Sequence, residues 1–148
     1  MKRKGIRVGI AVVVLAVLAG VFWYNAYYRG NLLIGLHTPQ AEALADTLAQ
    51  QCQAVEDVKL EYRAMGYLKI SCYGEDLELK QVRELLDTIK ETVQSQNFLA
   101  DYTQAYDKRY RTQGSLEYVE VQVYRANTMA PDFSYNATLP FQQWNDLS

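Results

Sequence analysis

The sequence predicts an α+β domain carried behind one N-terminal transmembrane helix. Three observations predict it. Residues 8–28 hold no charge. Two later stretches repeat their apolar residues at steps of three and four, the period of a helix face. Other stretches alternate apolar and polar residues, the period of a strand. The expected domain has two layers, an antiparallel sheet with two helices on one face, in the order αββαββ. The expected organisation is a basic cytoplasmic N-terminus at 1–7, a transmembrane helix at 8–28 and a juxtamembrane linker at 29–38. An extracytoplasmic α+β domain at 39–125 and an irregular C-terminal tail at 126–148 follow.

The anchor rests on length and on its flanks. Residues 8–28 span about 31 Å as a helix, close to the thickness of a hydrocarbon core. In lipid a lone strand leaves its backbone unpaired, so helix wins over the β preference of Val12, Val13, Val14 and Val17. Lys2, Arg3, Lys4 and Arg7 precede the run, while Trp23, Tyr24, Tyr27 and Tyr28 gather at its far end. Cations mark the cytoplasmic side and aromatic rings the interface, so the chain is expected in the cytoplasmic membrane as a single pass, with its C-terminal domain outside. A signal peptide cut near Ala19 is the rival reading, against which stands apolar character continuing through Trp23. Ala16 and Gly20, four apart, are candidates for close packing between two anchors.

Beyond the anchor, Leu32–Leu36 reads as an edge strand or a spacer on the headgroups. Thr38 and Pro39 read as the N-cap and first residue of a helix over 39–54. Its apolar face is Ala41, Leu44, Ala45, Leu48, Cys52 and Val55. A hairpin follows, Val58, Leu60 and Tyr62 in one strand and Leu68, Ile70 and Cys72 in the next, turning near Met65 and Gly66. Asp76 is placed to cap a second helix with the stripe Leu79, Val82, Leu86, Ile89 and Val93. Tyr102, Tyr106 and Tyr110 fit both a helix face and one face of a strand. A turn at Thr112–Ser115 and the alternation of Val119, Val121 and Val123 favour a second hairpin, with Lys108 misplaced on its apolar side. The element order from Val58 to Val93, with Gly66, Gly74 and the helix after them, resembles that of BON domains. That resemblance, which is one of order only, implies a small envelope module binding lipids or partner proteins.

Charge narrows the function. All 17 acidic residues but only 11 of the 15 basic ones lie beyond Tyr28, leaving that part at −6. Phosphate backbones are bound through clustered Lys and Arg, so no nucleic acid is expected as a partner. His37 is the one histidine, beside the anchor, which leaves no catalytic residue recognisable and no base for a nucleophile. One His and two Cys are too few for a structural zinc site, no Gly-rich loop joins a strand to a helix, and no metal or cofactor is expected.

Cys52 and Cys72 both fall on apolar faces turned to the same interior. Two readings stand: a disulfide in an oxidising compartment, or two buried thiols packing as small hydrophobes. In the tail, a helical turn begun at Pro140 would set Phe141, Trp144 and Leu147 on one side, suited to a partner's groove; the other reading is that these residues cover an exposed end of the domain's own core. The expectation is therefore a membrane-anchored, non-enzymatic interaction module, its partners the lipid bilayer and a protein, an envelope component or a second copy. A structural subunit of a larger membrane assembly is the alternative, and an envelope hydrolase, which needs two acids facing one cleft, is the third reading.

Overall fold

The computed structural model describes residues 2–125 and 128–147. The chain divides into two compact units, Met1–Leu32 and Leu33–Ser148.

The first unit is helical: α1 (Lys2–Trp23), a π-helical turn (Tyr24–Tyr28) and α2 (Arg29–Asn31). Among the described residues, Gly9–Asn31 is the one helix long and apolar enough to cross a membrane. Side chains four apart share a helix side. Trp23 accordingly stacks on Tyr27 at 5.3 Å and Tyr24 on Tyr28 at 6.1 Å.

In the second unit the order is β1 (Ile34–Gly35), α3 (Pro39–Gln51), β2 (Val55–Arg63), β3 (Tyr67–Gly74), α4 (Leu79–Val93), α5 (Gln96–Tyr110), β4 (Tyr118–Tyr124), β5 (Phe133–Thr138) and β6 (Asn145–Asp146). This is α+β with one six-stranded sheet in the order β1-β2-β3-β4-β5-β6. Thr38 caps α3, its Oγ1 accepting from the Ala41 N–H at 3.2 Å, with Pro39 where an N–H is not needed. Gly66 and Met65 turn the β2–β3 hairpin, both at φ 66°. Helix α4 begins later than Asp76: that residue sits at φ 54°, and Glu78 is the N-cap, its N–H donating to Gln81 Oε1 at 2.8 Å.

Four expectations are corrected. Residues 102–110 are helix, not strand. Ser95 caps α5 by accepting from the Phe98 N–H at 3.3 Å, and Tyr102, Tyr106 and Tyr110 pack ring against ring at 6.1 and 4.7 Å along one side. The helix also removes the misfit of Lys108, which is exposed. Because α4 and α5 now form a crossover between β3 and β4, those strands run parallel, and the sheet is mixed rather than antiparallel. The αββαββ order with two helices gives way to βαββααβββ with three. Finally, the 126–148 segment is not irregular. Outside residues 126, 127 and 148, which lie beyond the described ones, it supplies β5, antiparallel to β4, and β6, antiparallel to β5.

Alternate residues of the strands meet the helix stripes in one buried cluster. Leu60, Leu68, Ile70, Val119, Val121 and Tyr135 are buried from the sheet, and Leu44, Leu48, Val82, Ile89, Phe98 and Tyr102 from the helices.

Candidate functional site

The period of a strand sends every second side chain to the opposite face. Register then aligns these outward residues in rows across the sheet. Arg63, Tyr67, Tyr118 and Thr138 form the first, and Glu61, Lys69, Glu120, Asn136 and Asn145 the second. Lys59, Ser71, Gln122 and Ser134 form the third, and Asp57, Tyr73 and Tyr124 the fourth. Two aromatic rows thus frame two polar ones.

The framing rings are fixed. Parallel strands in register set like residues side by side, and the rings stack: Tyr67 on Tyr118 at 5.4 Å, Tyr73 on Tyr124 at 5.0 Å, both at 14°. The Arg63 guanidinium lies 4.2 Å from the Tyr67 ring centre and the Lys59 ammonium 5.0 Å from that of Tyr73. Stacking takes one face of each ring, and the hydroxyls stay at the ring edges.

The polar rows are a linked hydrogen-bond chain. The Tyr67 hydroxyl donates to Glu120 Oε2, Gln122 Nε2 donates to Glu120 Oε1, and the Tyr124 hydroxyl donates to Gln122 Oε1. Burial foremost, then the bond to Glu120, pushes the Tyr67 phenol above its ordinary range, which keeps it a neutral donor. Asn145 Nδ2 donates to Asn136 Oδ1 at 3.1 Å at the far side. Ser71, 1% exposed, lies in the floor. A face held by stacking and a continuous bond network meets a partner with little side-chain ordering still to be done.

This face went unread in the sequence, although a signal exists. Tyr67–Tyr73 and Tyr118–Tyr124 share one spacing: tyrosines six apart, polar residues at the second and fourth positions after the first, apolar residues between.

The residues singled out from the sequence are scattered. Cys52 and Cys72 are free, buried thiols within the core cluster. Burial, with Cys52 adding to it, pushes the Cys72 thiol up to about 12. The helical turn expected at Pro140 does not form. Phe141 and Trp144 meet edge to face at 5.0 Å and pack on the domain's own core, as the second reading of the tail expects. Of the three residues assigned to a partner's groove only Leu147 is exposed, and its N–H is bound to the Ser134 carbonyl at 2.7 Å. Ala16 and Gly20 are exposed in the first unit, and a Cβ on Gly20 would meet nothing within 4 Å. His37 is exposed, its imidazole lying over Gly35. No group of three or more metal-ligating side chains is assembled among the described residues.

Comparisons with protein-family models, curated proteins and solved structures return no match for this chain.

Proposed function

We propose that the chain is a membrane-anchored, extracytoplasmic, non-enzymatic interaction module that docks a partner protein or envelope component through the tyrosine-framed face of its sheet. The observation that carries this reading is the rigid face itself: two tyrosine stacks joined by the Tyr67–Glu120–Gln122–Tyr124 chain. Tyrosine combines a large contact area with a polar end and is enriched at interfaces. The apolar helix at Gly9–Asn31 supports a tether, and the basic residues before it support an inside N-terminus.

The test is site-specific photocrosslinking in intact membranes, with the photoreactive residue placed at Tyr118 on the face or at Glu91, exposed on α4. Adducts confined to position 118 are expected, and adducts at neither position, or at both alike, would sink the reading. Cysteine labelling of Met65→Cys in intact cells checks the orientation, since Met65 is 85% exposed. The alternative, a structural subunit of a membrane assembly, is favoured by the open flank at Ala16 and Gly20. Bulky residues there disrupt assembly under that alternative and are silent under the first.

A further inference from the structure

On its β1 side the sheet ends unevenly. Strand β1 covers β2 only at Glu61 and Tyr62, and the Leu36 N–H donating to the Leu60 carbonyl at 2.8 Å is the last bond of that ladder. Among the described residues no strand lies beside Asp57–Lys59 on this edge. Because the Leu60 carbonyl faces the edge, the two-residue period turns the N–H and carbonyl of Val58 to it as well. The opposite side of the sheet is closed differently, with β6 and the Leu147 N–H lying along β5.

Beside the open stretch runs a groove of about 390 Å³ between β2 and α3. Ala41 and Ala45, one helical turn apart, line it together with Val58, and their small side chains leave its volume unfilled. Its acidic lining residues are Glu42, Asp57 and Glu61. The one lysine lining it, Lys59, is 3.7 Å from Asp57 and partly neutralises that carboxylate. An unpaired strand edge over an apolar groove is the geometry of strand addition.

We propose that this edge accepts a short extended segment of a partner protein, with Lys or Arg on both sides of a Val- or Leu-sized residue. The backbone pairs with Val58, and the apolar side chain enters between Ala41, Ala45 and Val58. Its two neighbours fall on the opposite face of the added strand, the side on which Asp57 and Glu61 stand. Charge decides the occupant. The part of a second copy beyond Tyr28 brings −6 of its own, and its β2, laid antiparallel about Val58, runs into β1 where Leu36 holds Leu60.

The experiment uses the full chain in nanodiscs of zwitterionic lipid, so that the bilayer does not attract the probe. The probe is a fluorescent pentapeptide alternating Arg and Val, compared with its Glu–Val counterpart and with an Arg–Val version whose backbone amides are methylated. Expected are saturable binding of the basic peptide, protection of the Val58 amide from hydrogen exchange, and at least tenfold weaker binding of the other two. Asp57→Lys with Glu61→Lys, both at solvent-accessible positions, should invert the preference toward the acidic peptide. Ala45→Phe should abolish binding at an unchanged melting temperature. Equal binding of the acidic peptide, full binding of the methylated one, no binding at millimolar peptide, or self-pairing of the chain at this edge would each overturn the proposal. A silent crosslink at Tyr118 would leave these outcomes untouched, so the two readings fail separately.

Discussion

Two adjacent turn residues with the same backbone angle should respond to substitution with opposite signs. Met65 and Gly66 both sit at φ 66°. For an L-residue that region costs about 1–2 kcal/mol. At Met65 the cost is already present, its side chain is 85% exposed, and its N–H donates to the Tyr106 hydroxyl at 3.1 Å. Met65→Asn keeps that bond and eases the strain, because Asn tolerates the left-handed region, so stability should hold or rise by up to about 1 kcal/mol.

Gly66 differs in its surroundings. A Cβ there would lie 2.3 Å from the Ser115 carbonyl oxygen, closer than real contacts allow, and at a tight 3.0 Å from the Glu117 nitrogen. To make room the 115–117 backbone must retreat, and that backbone is held by the Gly66 carbonyl, which accepts from Glu117 at 2.8 Å and Tyr118 at 3.0 Å. Strain of about 1–2 kcal/mol plus two weakened bonds at about 0.5–1.5 kcal/mol each predicts a loss of about 2–5 kcal/mol for Gly66→Ala. Urea unfolding of the full chain in a mild detergent, followed by tryptophan fluorescence, measures both. Equal effects from the two substitutions, or a cost below about 1 kcal/mol for Gly66→Ala, would refute the claim that β4 is anchored on this turn.

Burial foremost raises the Tyr102 phenol well above its ordinary 10.0, and its hydroxyl donates to the Tyr67 carbonyl at 3.3 Å. The folded chain keeps this proton where the unfolded chain releases it. The contribution is therefore whole below pH 10 and is lost as pH rises from there toward the folded value. Tyr102→Phe should cost about 1 kcal/mol at pH 7 and narrow the gap to wild type above pH 10; a gap independent of pH in thermal melts would contradict this. Cys72, with its thiol pushed up to about 12, and buried Cys52 should resist iodoacetamide at pH 8 while folded and react together in denaturant, as mass spectrometry will count. Trp144→Ala, which strips a half-buried ring from the core, should destabilise the domain by about 1–3 kcal/mol, whereas Leu147→Ala at an exposed site should stay within about 0.5 kcal/mol.

Much of the fold was legible because its causes are local. The charge-free run needs only its own length. Thr38-Pro39 and the three-and-four spacing of Ala41, Leu44 and Leu48 specify α3 within a dozen residues. The alternation on either side of Met65-Gly66 specifies a hairpin whose strands are neighbours in the chain, and the α4 stripe from Val82 to Val93 reads the same way. The candidate face was half legible: the matching spacing of Tyr67–Tyr73 and Tyr118–Tyr124 stands in the sequence, but nothing local says that these segments are neighbours.

By itself, then, the sequence determined an apolar helix ahead of an acidic α+β domain, with its first helix, first hairpin and second helix. Only tertiary structure decided the rest. Tyr102, Tyr106 and Tyr110, spaced by four, satisfy helix and strand periods alike, so their own pattern is neutral. What separates the two outcomes is where Val119, Val121 and Val123 find their partners, and they find Leu68, Ile70 and Cys72, about fifty residues back. That parallel pairing requires a crossover, and 96–110 falls within it, as a second helix after α4. It also leaves the far edge of β4 open, which Phe133–Thr138 fills, drawing the last residues into the sheet. Pairings between distant segments are stabilised by the burial they complete together, and no window of sequence contains both sides of that contact.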